Sequence, residues 1–202
     1  AAAERALRDA EQRARQAEFE AARAARDAAK AERRVDETRR ELEAAQAATA
    51  LGQIGNEGAT AALINASAKY GDRFTEHAIT YALITTGNNQ SLIAALKHPS
   101  NQARRTALIA LDQMDGNPLR RDHVKVFLDS EIPVLMKTGL WVLTHHREWS
   151  DLASAYLGKV FAQNHFREAE KEAAFDLMTS LSGNAGVQQF AAKRLTDPQT
   201  SD

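Results

Sequence analysis

The six histidines are the side chains of this chain best suited to bind a metal or to transfer protons: His77, His98, His123, His145, His146 and His165. None lies in a His-Glu-x-x-His motif, and no two lie four residues apart on a predicted helix. The adjacent pair His145–His146 would diverge by about 100° on a helix. The sequence therefore predicts no metal site and favours histidines that lie at helix ends or in solvent.

Nucleophilic and redox chemistry has no recognisable signal either. The chain has no cysteine, so it can form no disulfide, no thiolate metal site and no covalent c-type haem attachment. It contains no nucleophile elbow, no Gly-rich phosphate loop and no distinctive pair of acidic residues. We expect this chain to be non-catalytic and to hold no cofactor of its own.

The near-zero net charge excludes a strong overall electrostatic field around the chain. The 202 residues include 26 basic and 27 acidic side chains, which nearly cancel. We therefore expect no nucleic-acid partner and no attraction to an anionic membrane. No apolar run is long enough to span a bilayer, and no signal peptide is recognisable. Because the chain begins at Ala1 without methionine, we expect a processed product or a piece of a longer protein.

Residues 1–48 form one long predicted helix. They contain no Gly and no Pro and are dominated by Ala, Glu, Arg and Gln, which are strong helix formers. A heptad seam, of which eleven of twelve members are apolar, runs through the segment: Leu7, Ala10, Ala14, Ala17, Ala21, Ala24, Ala28, Ala31, Val35, Thr38, Leu42 and Ala45. The seam favours packing against another helix. A solvated rod with i,i+4 ion pairs is the alternative.

The sequence pattern of residues 49–196 predicts repeated helix pairs. Apolar helices end near residues 55, 87, 116, 146 and 183, at intervals of about 30 residues. A single pair cannot bury its apolar face, so stacked pairs predict an all-α solenoid. The central helix spans residues 100–116, with Ser100 or Asn101 as its cap, and its predicted apolar face consists of Ala103, Ala107, Leu108, Leu111 and Met114. Asn117-Pro118 is expected to begin the next helix, and Ser130 is expected to cap the helix after it. Residues 197–202 are predicted to be a disordered tail or linker. The large aromatic residues are predicted to pack in the core: Phe127, Trp141, Trp149, Tyr156 and Phe161.

Basic residues are concentrated in residues 97–147, which carry eight basic and five acidic side chains. The candidate interaction surface consists of six of them: Arg104, Arg105, Arg120, Arg121, Lys125 and Lys137. Arg104, Arg105 and Lys137 occupy equivalent repeat positions and could form a ladder on one surface. Such a ladder would suit an acidic partner. The alternative is an ordinary solvated face with local ion pairs.

Two runs in the central helix carry a family resemblance. They are Ala-Arg-Arg-x-Ala-Leu at residues 103–108 and Ala-Leu-x-x-Met at residues 110–114. They resemble the second helix of HEAT repeats, and the resemblance covers residues 44–195. It implies a HEAT-like α-solenoid of helix pairs, preceded here by the long Ala-rich helix.

A closer resemblance is carried by three runs: DRFTEHAITYAL (72–83), RRTALIALDQMDG (104–116) and RDHVKVFLDSEIPVLMKTGLWVLTHHREWSDLASAYL (121–157). They resemble the HEAT-type segment of large haem-binding, dehydrogenase-like proteins of Planctomycetes and Verrucomicrobia. In that family a propeller resembling quinone-dependent sugar dehydrogenases precedes the segment, and a cytochrome c domain with a Cys-x-x-Cys-His motif follows it. No redox residue carries over, because none of the family's redox motifs lies in this chain.

The resemblance implies a non-catalytic scaffold or spacer within a larger membrane-associated or periplasmic dehydrogenase and cytochrome c protein. The neighbouring domains would be its partners, and its location would be periplasmic or in the cell envelope, with a cytoplasmic location left open. A free-standing adaptor that docks or oligomerises through its long helix is the alternative. A HEAT-like DNA-binding enzyme is a third hypothesis, and the near-zero net charge argues against it.

Overall fold

The computed structural model describes residues 2–162 and 168–196. Throughout these ranges the regular structure is helical, and no strand occurs. The all-α prediction is therefore confirmed. The helices are α1 (Ala2–Ile54), α2 (Thr60–Lys69), α3 (Arg73–Thr86), α4 (Asn89–Ala95), α5 (Asn101–Gln113), α6 (Arg121–Leu128), α7 (Pro133–His145), α8 (Ser150–Phe161), α9 (Glu168–Ser180) and α10 (Ala185–Leu195). The predicted tail at 197–202 lies outside the described residues.

The chain divides into two compact units, Ala1–Ala44 and Ala45–Asp202. The first unit is the greater part of α1. Three large members of its heptad seam are exposed: Leu7 by 63%, Val35 by 60% and Leu42 by 58%. The long Ala-rich helix is thus present, and its seam presents apolar side chains at the surface.

The second unit is a solenoid-like stack of helix pairs. α2 packs on α3, α4 on α5, α6 on α7 and α8 on α9. One layer contains α3, α5, α7 and α9, each packed on the next, and we call it the inner layer. The other layer contains α2, α4, α6, α8 and α10, with contacts between α2 and α4, α6 and α8, and α8 and α10. The last turns of α1 belong to this unit, where a Cβ on Gly52 would lie 3.2 Å from Cα of Ala82.

The helix starts follow from short polar side chains. Asp72, Asn88, Ser100 and Asn184 each stand at an N-cap, and each side chain accepts a hydrogen bond from a backbone N–H in the first turn. These bonds satisfy amide groups that have no partner within the helix. They fix where α3, α4, α5 and α10 begin.

The core is continuous through the pairs. α5 lies at its centre, packed on α2, α3, α4 and α7. Its predicted apolar face is buried, since Ala103, Ala107, Leu108 and Leu111 have no exposed surface. The fifth predicted member, Met114, is partly buried and packs against the core.

Two predicted helix starts were wrong. Asn117-Pro118 does not begin α6, because Asn117 adopts a left-handed conformation with φ of 37° and its side chain accepts a hydrogen bond from the N–H of Leu119. The resulting turn delays the helix until Arg121. Ser130 does not cap α7 either. Its hydroxyl accepts from the N–H of Ile132 at 3.2 Å, and Pro133 then begins the helix.

Candidate interaction surface

Two of the six candidate cations lie next to each other on α5 but face different surroundings. Arg104 donates from Nε to the carbonyl of Leu96 at 3.1 Å and lies over the ring of Phe127, 5.5 Å from its centroid. Arg105 forms an ion pair with Glu76 on α3. Burial lowers the pKa of the Arg105 guanidinium below its ordinary value. Arg104 therefore closes the junction with α4, whereas Arg105 lies on the inner layer.

Three of the other four candidate cations contact carboxylates, as Arg105 does. Lys137 on α7 pairs with Glu172 on α9 at 2.9 Å. Arg121 pairs with Asp151 across neighbouring repeats. Lys125 donates to Asp129 one helical turn later, at 2.5 Å. The sixth candidate, Arg120, is exposed at the N-cap of α6, and its backbone N–H donates to Nδ1 of His123 at 3.3 Å.

Three of these cations form ion pairs between neighbouring repeats. The pairs Glu76–Arg105, Arg121–Asp151 and Lys137–Glu172 each join residues about one repeat apart in sequence. Exposed ion pairs such as Arg121–Asp151 and Lys137–Glu172 contribute about 0–1 kcal/mol each. Glu76–Arg105 and Lys137–Glu172 join successive helices of the inner layer, and Arg121–Asp151 joins α6 to α8 in the other layer. Of the predicted ladder, Arg105 and Lys137 line one groove, and Arg104 does not.

That groove lies between α5 and α7 in the inner layer, and we call it the Trp141 groove. Its volume is about 630 Å³, and it is lined by Arg105, Ile109, Pro133, Val134, Lys137, Thr138 and Trp141. A second groove of about 370 Å³ lies between α7 and α9 on the other side of Trp141. Both volumes fall in the range of pockets that hold small ligands or side chains.

Trp141 and Phe161 were wrongly predicted to be core residues. They are 42% and 37% exposed, whereas Phe127 and Tyr156 are buried as predicted. On α7, Pro133 is exposed at the start of the helix, and the exposed positions after it are Val134, Lys137, Trp141 and His145. They follow one another at three- and four-residue spacing, which defines one outward stripe of a helix. Trp141 lies on the same stripe as the charged Lys137, and that was the signal for its exposure.

A buried polar cluster joins α5 to the end of α7, and sequence reasoning missed it. The Asp112 side chain has no exposed surface, and its two carboxylate oxygens contact two histidines. Oδ2 lies 2.8 Å from Nδ1 of His145, and Oδ1 lies 2.8 Å from Nε2 of His146. Gln113 donates to the same carboxylate at 2.6 Å. This cluster satisfies a buried carboxylate entirely from within the protein.

The two histidines reach one carboxylate because only His145 is helical. His146 is the residue after α7 and has φ of −113° and ψ of 75°. The expected 100° divergence applies within a helix and therefore does not hold here. The pair lies at a helix end as predicted, but His146 is buried rather than solvated.

One face of the His146 ring and its second ring nitrogen also have partners. Its ring stacks on Trp149 with centroids 3.9 Å apart, and Nδ1 lies 2.8 Å from Oε1 of Glu148. The strongest influence on the pKa of Glu148 is a hydrogen bond from its own backbone N–H, which lowers it. Partial burial opposes this shift, and the bond to His146 adds to it. The pKa of Glu148 therefore lies below its ordinary value. The cluster therefore continues from the core to the surface of the turn before α8.

The remaining histidines have separate positions. His77 is exposed, and its neighbour Glu76 rather than His77 itself joins α3 to α5. His98 accepts a hydrogen bond at Nδ1 from the N–H of Ser100. The pKa of His123 lies below its ordinary value. Burial lowers it most, the charge of Arg120 lowers it further, and Asp122 raises it by a smaller amount. His165 lies outside the described residues.

Two general features bear on function. In the described part of the chain, no group of three or more His, Cys, Asp or Glu side chains is arranged to hold a metal ion. No helix in residues 2–162 or 168–196 combines the length and the apolar character needed to cross a membrane. A comparison of the sequence with models of known protein families and with curated proteins finds no match.

Proposed function

We propose that this chain is a non-catalytic helical scaffold that positions other protein domains. One observation carries the proposal: Trp141, a large aromatic side chain, is 42% exposed between two grooves of the inner layer. Exposed aromatic residues beside well-formed grooves are typical of protein-binding surfaces. The ion pairs Glu76–Arg105 and Lys137–Glu172 support a scaffold role, because they join successive helices of this layer.

The more specific form of the proposal rests on the resemblance. The chain is then a HEAT-like spacer in a large haem-binding, dehydrogenase-like protein, between a propeller domain and a cytochrome c domain in the periplasm or cell envelope. Such a spacer needs no cofactor of its own, because the redox groups belong to its neighbours. Its task is to set the distance and orientation between them.

The complete reading frame around residues 1–202 tests the spacer. We expect propeller strands upstream and a Cys-x-x-Cys-His motif downstream. A reading frame that contains only this chain would contradict the spacer and leave the adaptor. Expression of the whole frame, followed by a haem absorption spectrum, provides a second readout that does not depend on sequence recognition.

The adaptor remains a second candidate because of the exposed seam of α1. Leu7, Val35 and Leu42 present apolar side chains on the face that carries the heptad repeat. An adaptor would dock or oligomerise through this face. Sedimentation equilibrium of residues 1–202 would then show a concentration-dependent oligomer, which Leu7→Glu together with Leu42→Glu would abolish. A monomer at all concentrations up to about 100 μM would contradict oligomerisation at a Kd typical of specific complexes.

A further inference from the structure

The Trp141 groove combines an apolar surface with two cations. Ile109, Val134 and Trp141 supply apolar contacts from both of its walls, and Val134 and Trp141 are 43% and 42% exposed. Arg105 and Lys137 are the charged residues among those that line it, and none of the carboxylates in the described ranges lines it. The groove is therefore amphipathic, with positive charge beside apolar surface.

The second groove makes a useful contrast. It shares Lys137 and Trp141 with the first, but Asp176 also lines it. Opposite charges across a groove favour no particular sign of ligand. The difference between the two grooves lies in charge, since both are largely apolar. Selectivity for an anionic group is expected only on the α5 side of Trp141.

The two cations are held differently. Arg105 has a 29% exposed side chain and is fixed by its ion pair with Glu76. Lys137 is 51% exposed, and its partner Glu172 is 63% exposed. An exposed ion pair contributes little stability, so exchange of Glu172 for another carboxylate costs little free energy. Lys137 can therefore turn toward a ligand while Arg105 stays in place.

We propose that the Trp141 groove binds a short segment of a partner protein in which a carboxylate stands next to a large apolar side chain. The apolar side chain packs on Ile109, Val134 and Trp141, and the carboxylate pairs with Lys137 beside Arg105. Trp and Arg are among the residue types enriched at the positions that contribute most binding energy in protein interfaces. This inference rests on the proposed scaffold function and names the chemistry of its partner.

Synthetic peptides test the proposal on the whole chain. The probe is the acetylated, amidated peptide Gly-Glu-Phe-Asp-Leu-Gly, and the charge-reversed control is Gly-Lys-Phe-Lys-Leu-Gly. The indole N–H signals of Trp141 and Trp149 are followed by NMR during titration. We expect the acidic peptide to shift the Trp141 signal in a saturable way and to leave Trp149 unchanged. The basic peptide has the same apolar side chains but faces Arg105 and Lys137 with like charge, so it should shift the Trp141 signal only at several-fold higher concentration and leave Trp149 unchanged.

Variants identify the groove as the site. Lys137→Gln should weaken binding of the acidic peptide by less than about fivefold, because the peptide carboxylate replaces Glu172 as the partner of Lys137. Val134→Glu should abolish it, since it adds a carboxylate to the apolar wall. Arg120→Gln is the matched control, because this exposed cation lies outside the groove, and it should bind like the unmodified chain. Both test positions are exposed, so the fold is retained.

Two results would overturn the inference. One is an equal shift of Trp141 with the acidic and the basic peptide, and the other is a failure of both peptides to shift it at millimolar concentration. Neither result touches the spacer proposal, which depends on the reading frame. A spacer with the predicted neighbours but no response to the acidic peptide would show that the domains contact another face.

Discussion

Oδ1 of Asp112 on α5 lies 2.8 Å from Nε2 of His146, the residue that follows α7. The Asp112 side chain has no exposed surface, and His146 is 6% exposed. The contact therefore joins two successive inner-layer helices through buried polar groups. An unpaired carboxylate at this position would be costly, and for this reason the contact specifies how the two repeats meet.

Loss of the Asp112 carboxylate should destabilise the chain. Asp112→Ala leaves His145 and His146 without their acceptor and opens a small cavity, so we expect the free energy of unfolding to fall by about 2–4 kcal/mol. Urea denaturation followed by circular dichroism measures it. Asp115→Ala, on an exposed residue one turn later, should change it by less than about 0.5 kcal/mol. Equal losses for the two variants would contradict the buried cluster.

This cluster could not be predicted from the sequence because its members are far apart in the chain. Asp112 looks like an ordinary polar residue near a helix end, and only its position on the apolar side of α5 indicates burial. The adjacent histidines were visible, but the assumption that both were helical made them diverge. A carboxylate on the apolar side of α5, one repeat before a histidine pair, was the only signal.

The central helix gives a second stability prediction. Leu111 has no exposed surface, so Leu111→Ala should lower the free energy of unfolding by about 2–5 kcal/mol through lost contacts and a cavity. Leu195→Ala is the matched change on a residue that is 89% exposed, and it should have little effect. A loss below about 1 kcal/mol for Leu111→Ala would show that α5 is not central.

Alanine substitutions at two helical glycines should change the free energy of unfolding in opposite directions. A Cβ on Gly139 of α7 would lie 2.9 Å from Cβ of Phe127 and 3.3 Å from the backbone nitrogen of Leu128. Gly139→Ala should therefore destabilise by about 1–3 kcal/mol. On Gly158 of α8 the nearest atom to a Cβ is 3.8 Å away, so Gly158→Ala should stabilise by about 0.5–1 kcal/mol. The difference in melting temperature checks both, and equal signs would contradict the close approach of α6 and α7.

Asp129 should make stability depend on pH. The hydrogen bond from Lys125 lowers its pKa most; burial opposes this, and Lys159 lowers the pKa further. Because the folded pKa lies below the unfolded value of about 3.9, the stabilisation is fully present above that pH and is lost as the pH falls through the folded pKa. Unfolding of the unmodified chain and of Asp129→Asn should differ most above pH 5 and converge near pH 2. A constant difference across this range would contradict the shift.

The fold itself was largely predictable, because helical periodicity is a local property. Apolar residues at three- and four-residue spacing located α5, and its capping serine located its start. The errors arose where a side chain accepted a hydrogen bond from the backbone two residues later, as at Asn117, or where an aromatic residue was assumed to be buried, as at Trp141. Those features depend on turn geometry and on which face a neighbouring helix covers, and apolar spacing contains neither.

The most direct test of the scaffold is the accessibility of Trp141 in the protein encoded by the complete reading frame. Hydroxyl-radical footprinting with mass spectrometry measures oxidation of Trp141 and Trp149 separately, in that protein and in residues 1–202 alone. We predict that Trp141 is oxidised several-fold less in the complete protein, because a neighbouring domain covers the inner layer, while the stacked Trp149 is unchanged. Equal oxidation of Trp141 in both samples would contradict the claim that this face holds another protein domain.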